Sequence, residues 1–171
     1  MIPVWLLDID GVINAYGAAS GPPTHVWPKA DWIITKAHGF NIWASNSVVT
    51  FIRNIHDNGQ AEIRWHTTWQ NHAELLADAL HLPTFPVQDA PEYGSYDHDF
   101  AMGWWKLPPV HRVLAEGRSV LWTDDDADSL SIKELADLQE AGPIEVIAPH
   151  YDTGLCLRHL RQIKRFLEAG S

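Results

Sequence analysis

Leu6-Leu7-Asp8-Ile9-Asp10-Gly11-Val12 places two carboxylates, two residues apart, at the end of a short apolar run. Acids at the C-terminal tip of a buried strand stand where open α/β sheets hold their ligands, and Gly11 lets the chain curl directly after them. In such a pair one carboxylate can attack phosphorus and also bind a metal ion, while the second manages the proton of the leaving group. A solvated turn would be the plainer reading of an isolated pair. This pair is not isolated. Val120-Leu121-Trp122-Thr123 runs into Asp124-Asp125-Asp126, a second acidic cluster at a second strand end. Acids gathered at two strand tips repel one another unless a cation lies between them. An all-oxygen set of this kind suits Mg²⁺, which takes one or two carboxylates and keeps several waters.

Two further features fit phosphorus chemistry. Glu62-Ile63-Arg64-Trp65-His66 ends in Thr67-Thr68, where a hydroxyl and the backbone N–H groups of the next turn can hold a phosphate oxygen. Lys106 is the only lysine between Thr68 and Ser119, and it directly precedes a helix opened by Pro108-Pro109. A point positive charge there can neutralise a phosphoryl group in transfer.

The elements that must position these residues alternate. Five apolar runs read as buried strands, at 4–8, 61–67, 85–87, 119–123 and 144–148; they are near-continuous, as in a parallel sheet covered on both faces. Between them fall helical patterns. Val48, Ile52 and Ile55 follow the capping run Ser45-Asn46-Ser47, and Ala73, Leu76 and Leu80 share a face. A third helix runs from the two prolines to Gly117. A fourth carries Ile132, Leu135 and Leu138, and the last aligns Cys156, Leu160, Ile163 and Leu167 on one stripe. This alternation predicts a single α/β domain over 1–171, Rossmann-like and doubly wound, with a five-stranded parallel sheet. Residues 14–44 break the pattern and read as a loop plus a β-hairpin flap, with strands at 32–36 and 40–44 joined by His38-Gly39. Residues 88–105, rich in Asp, Tyr, Gly and Trp, read as a long irregular loop of the kind that is often functional.

Composition narrows the partners. The formal net charge of −10, from 12 basic and 22 acidic residues, argues against broad binding to phosphate polymers. No apolar run approaches the roughly 20 residues of a membrane span, and Met1 leads into a strand with no basic n-region. A single cysteine, Cys156, excludes an internal disulfide and fits a reducing, cytoplasmic setting. Nine tryptophans exceed what a surface would carry, so most are expected in the core or lining a cleft. Trp104, Trp105 and Tyr96, close to Lys106, are candidates to stack on a base. The histidines, including His66, His72 and His98, show no HExxH or paired-cysteine context, and GxSxG, GxxxxGK[ST] and GxGxxG are all missing.

The order of these features (acidic pair, hydroxyl, lysine, acidic cluster) resembles the four motifs of the haloacid dehalogenase superfamily. The resemblance implies Asp8 as nucleophile, Asp10 as general acid/base and Thr67 as the phosphate-binding hydroxyl, with Thr68 as its alternative. It also implies Gly11 and Lys106 about the phosphoryl group and Asp8, Asp10, Asp124 and Asp125 about Mg²⁺. It implies the sheet order 5-4-1-2-3. The stretch 40–69, with Trp104-Trp105-Lys106, Trp122-Thr123-Asp124-Asp125 and Thr153-Gly154-Leu155, is similar to the domain of this type in Swiss-army-knife RNA repair proteins. There is no room for a large cap domain, and in this superfamily a missing cap leaves the cleft open. The expected substrate is therefore a phosphorylated end of a larger molecule such as RNA, which itself excludes water from the site. The rivals are a phosphotransferase, a phosphatase of small metabolites, and a phosphate- or nucleotide-binding module on the same scaffold.

Overall fold

The computed structural model describes residues 1–17, 21–88 and 104–170. A parallel four-stranded sheet runs β4 (Glu62–Trp65), β1 (Val4–Leu7), β5 (Val120–Thr123), β6 (Ile144–Ile147) in spatial order. Helices α1 (Asn46–Asp57), α2 (Ala73–Leu80), α3 (Leu107–Ala115), α4 (Ile132–Ala141) and α5 (Leu157–Ala169) cover it. The two-residue alternation of a strand explains why both faces are covered. Trp5, Leu7 and Leu121 join a core with α1, α2 and α5, whereas Val4, Leu6, Val120 and Trp122 join a second core with α3 and α4.

The sheet has four strands, one fewer than the five expected, so the full expected order is not formed; the four present stand in the expected relative order, and the missing member is the edge run at 85–87. The run at 85–87 forms only an isolated parallel bridge, Trp65 to Val87, in which Trp65 N–H donates to Pro86 O and Gln88 N–H donates to Trp65 O. Pro83 and Pro86 have no N–H to give, so the segment cannot continue a ladder.

The local signals for the helices are largely realised. Ser45 caps α1 by accepting from Val48 N–H, and Ser131 with Glu134 forms a reciprocal capping box on α4. Two expectations fail at helix starts. Ile132 is 90% exposed, because it occupies the first turn of α4 and points outward, leaving Leu138 as the buried anchor. Cys156 is the N-cap of α5 and half-buried, so the apolar stripe begins at Leu160.

The expected flap is present as a separate antiparallel hairpin, β2 (Trp32–Ala37) and β3 (Phe40–Ser45). Its tip residues His38 and Gly39 have φ of 49° and 83°, as a tight two-residue turn matched to strand twist requires. Asp31 clamps the base of the hairpin to α1 through Ser45 Oγ and Ser47 Oγ. Among the described residues no helix is long and apolar enough to cross a membrane. Tyr96, His98 and most of the 88–105 loop lie outside the described residues.

Candidate active site

Parallel register builds the centre of the site. Leu7 pairs with Thr123, so Asp8 and Asp124, the next residues of two adjacent strands, leave the sheet side by side. Their backbones are still tied to it, Asp8 N–H to Thr123 O at 3.1 Å and Asp124 N–H to Ile147 O at 3.1 Å. Beneath them the indole N–H of Trp5 donates to Thr123 Oγ1 at 3.0 Å in the core. Both carboxylates are also held locally: Ile9 N–H donates to Asp8 Oδ1 at 2.8 Å and Asp126 N–H to Asp124 Oδ1 at 3.1 Å.

Lys106 joins the two strand tips. Its Nζ lies 2.7 Å from Asp8 Oδ2 and 2.5 Å from Asp124 Oδ2, with only 3% of the residue exposed. His66 Nε2 contacts Lys106 O at 3.0 Å and so fixes the backbone that carries the ammonium. Trp104 and Trp105, expected as candidates to stack on a base, are half-buried and flank this lysine, each ring centroid 5.7 Å from Nζ. Trp104 packs on Trp122 at 5.0 Å and Trp105 meets His66 edge-on at 5.5 Å. Burial alone would push the Lys106 ammonium toward losing its proton, but Asp8 and Asp124 outweigh it and its pKa rises.

The turn after β1 brings in Asp125. Gly11 has φ of +69°, and a Cβ there would come within 2.2 Å of Asp125 Cγ, so no other residue fits between the two loops. Asp8, Asp124 and Asp125 each offer a carboxylate oxygen within 4.8 Å of the others. Burial and then Asp8 hold the Asp124 carboxyl well above the usual carboxylate range despite Lys106. Burial, then Asp8 and Asp126, push Asp125 up to about 7. With all three carboxylates ionised the cluster carries two negative charges beyond the one ammonium, which a divalent cation would balance. The donor set is all oxygen, hard and partly open to solvent through half-buried Asp125, and so suits a hard divalent cation.

Asp10, expected among the metal acids, does not belong to that trio. After the curl its side chain turns away, accepting from Asn14 Nδ2 at 2.9 Å and from the indole N–H of Trp69 at 2.7 Å. Burial raises its pKa first, with Asp8 adding to the effect, while Trp69 and Asn14 pull the other way. Of the two threonines, Thr67 is buried and its Oγ1 accepts the Trp69 N–H at 3.3 Å, leaving the hydroxyl proton for another acceptor. Thr68 is exposed and faces a different space.

That space is a cavity of about 530 Å³ lined by Asp10, Thr68, Trp69, Gln70 and the flap residues His38 and Phe40. The sequence reading missed Asn14, Trp69 and Gln70. Asn14 also accepts from Trp43 N–H at 3.0 Å, so a single side chain links the flap to Asp10. Gln70 follows Trp69 with φ of 53° and is 7% exposed, yet its Nε2 has no hydrogen-bond partner. A buried donor left so costs about 1–3 kcal/mol.

No protein-family model, curated protein or solved structure matches the chain. What the site can do therefore follows from its own geometry.

Proposed function

We propose that this chain is a Mg²⁺-dependent phosphohydrolase of the haloacid dehalogenase kind, working through an aspartyl-phosphate on Asp8, with phosphorylated ends such as those of RNA as substrates. The observation that carries this reading is the Lys106 ammonium held between Asp8 and Asp124 at two adjacent strand tips, with Asp125 beside them and Asp10 turned aside. Asp8, Asp124 and Asp125 would hold Mg²⁺, which when bound supplies positive charge to the phosphoryl oxygens.

In the first half-reaction an Asp8 carboxylate oxygen attacks phosphorus. The new oxygen–phosphorus bond forms as the bond to the leaving oxygen breaks in line. Asp10 gives its proton to that oxygen and is left as a carboxylate. Lys106 screens the negative charge spread over the transferring group, and the Thr67 hydroxyl donates to one of its oxygens. In the second half-reaction the Asp10 carboxylate takes a proton from water, the hydroxyl oxygen attacks phosphorus, and the bond to Asp8 breaks. Inorganic phosphate leaves with Asp8 ionised and Asp10 protonated, as at the start. The division of labour rests on placement: Asp8 faces the cation side, whereas Asp10 is held by Asn14 and Trp69 on the side of the cavity.

The test is release of inorganic phosphate in the presence of Mg²⁺ from end-phosphorylated oligonucleotides, nucleotides and sugar phosphates, with no added acceptor. The expected result is turnover that disappears in Asp8→Asn and an acid-stable, base-labile phosphoryl group trapped on Asp8. Substantial turnover by a folded Asp8→Asn protein sinks the assignment, and phosphate release only when an acceptor alcohol is present turns it into a transferase.

A further inference from the structure

Only one acid of the site, Asp10, lines the flap cavity; Asp8, Asp124, Asp125 and Lys106 do not. If Asp10 gives its proton to the leaving oxygen, the molecule bearing that oxygen must lie on this side of Asp10. At about 530 Å³ the cavity falls within the range of small-ligand sites, roughly 300–1,000 Å³. Half of its lining residues carry rings and half are polar. His38 stacks on His72 with centroids 4.1 Å apart and planes within 20°, and Trp69 meets His38 at 6.0 Å and Phe40 at 5.8 Å. Phe40 is 59% exposed at the flap tip, an apolar ring with a free face at the mouth. Gln70 also lines the cavity; its amide is nine-tenths buried and its Nε2 lacks a partner, enclosed until the side chain turns toward that space.

We propose that this cavity is the leaving-group subsite and receives a planar nitrogen heterocycle of the nucleobase type, stacked among the flap rings and hydrogen-bonded by Gln70. The assignment to the leaving group rests on Asp10 being the acid of the proposed phosphohydrolase. A ring face satisfies His38, Phe40 and Trp69 whatever the base, because stacking tolerates sequence. A carboxamide carries both donors and an acceptor and so matches the mixed edge of a base. A bare ribose offers the rings only a small, non-planar C–H face, and a simple alkyl alcohol offers the amide no paired donor and acceptor edge. A site built around a hydrogen bond rejects analogues that lack it, because the buried partner is then left unpaired.

Two measurements test this. In the first, adenosine and uridine, without phosphate, are titrated into the full-length protein and followed by NMR, with ribose as control. Nucleosides are expected to bind and ribose not to, with affinity falling at least tenfold in Gln70→Glu, which keeps the shape and removes the donors, and in Phe40→Ala at the exposed tip. In the second, kcat/KM is compared for a nucleoside 5′-monophosphate, a 5′-phosphorylated tetranucleotide and ribose 5-phosphate. Either base-bearing ester is expected to exceed the abasic one at least tenfold, and both variants to pull that ratio toward one. The subsite is overturned if nucleosides bind no better than ribose, or if the ratio is near one or unmoved in both variants. If no ester is hydrolysed, the proposed activity fails. Nucleoside binding weakened by both variants then still supports the base site, and its absence removes it.

Discussion

The strand tips and the flap cavity lie on two sides of the same turn, and they are built by opposite means. At the strand tips, Asp8, Asp124 and Lys106 are buried, joined by ion pairs and placed by the register of parallel strands. At the cavity, Asp10 comes from a turn, Trp69 and Gln70 from the start of a single-turn 3-10 helix, and the facing wall is a hairpin whose tip is exposed. The first arrangement is rigid because moving either strand breaks the sheet. The second depends on a few contacts between a flap and a turn, chiefly Asn14 to Trp43 and Phe40 to Trp69. In the proposed reaction, charge chemistry would therefore have the stiff half of the site and substrate selection the adaptable half. Perturbing the strand tips should affect turnover and stability together, whereas perturbing the cavity should affect turnover in a substrate-dependent way.

The largest expected effect is that of Asp8→Asn. Losing the nucleophile should lower turnover by at least about a thousandfold, or roughly 4 kcal/mol at 1.36 kcal/mol per decade. The fold should hold, because Asp124 still neutralises Lys106 and one charge leaves a crowded acidic site. Phosphate release and thermal midpoint measured on the same sample check both halves. A large drop in midpoint would mean that Asp8 is chiefly structural.

Lys106→Met should reverse that pattern and hit stability hardest. Removing the ammonium leaves Asp8 and Asp124 facing each other in a buried space, and breaking a buried pair typically costs about 3–5 kcal/mol. Urea unfolding at neutral pH measures it. A loss below about 1 kcal/mol would show that the lysine is not the keystone of the strand tips.

Mg²⁺ should act on the same half of the molecule. At about a hundred times its dissociation constant, a ligand specific for the native state adds roughly 2.7 kcal/mol. The thermal midpoint should rise with Mg²⁺, fall back with chelator, and lose most of this response in Asp125→Asn, which spares the Lys106 ion pairs. An equal rise in that variant would place the cation elsewhere.

The contrast also explains what could be read in the chain. Asp8, Lys106 and Asp124 were legible because strand ends and a proline-marked helix start can be seen in linear order, and parallel strands bring their ends together. The same logic found the sheet, yet it overran at 85–87, where the apolar run was plain and the missing N–H groups of Pro83 and Pro86 decided the outcome. The resemblance set Asp10 among the Mg²⁺ residues, and spacing alone does not reveal that the curl at Gly11 turns its side chain toward Trp69 and Asn14. Asn14, Trp69 and Gln70 carried no pattern. They matter through contacts with a hairpin and a turn distant in sequence, and Gln70 in particular is notable only for a hydrogen bond it does not make.

Trp69→Phe should have the smallest effect and separates the two halves most sharply. Phenylalanine keeps a ring against Phe40 and His38 but removes the indole N–H that meets Asp10 at 2.7 Å. The strand tips are untouched, so the Mg²⁺ response of the midpoint should match that of the unmodified protein. Asp10 loses one of its two side-chain anchors and is held by Asn14 alone. Protonation of the leaving oxygen then becomes less well aligned, which matters only when the leaving group needs a proton. For an alkyl phosphate, whose alkoxide is a poor leaving group, kcat should fall about tenfold, or roughly 1.4 kcal/mol. For 4-nitrophenyl phosphate, whose phenolate departs without help, the fall should be under about twofold. Equal losses on both esters would mean that Trp69 shapes the cavity without positioning the acid, and the link between flap and proton transfer would then be broken.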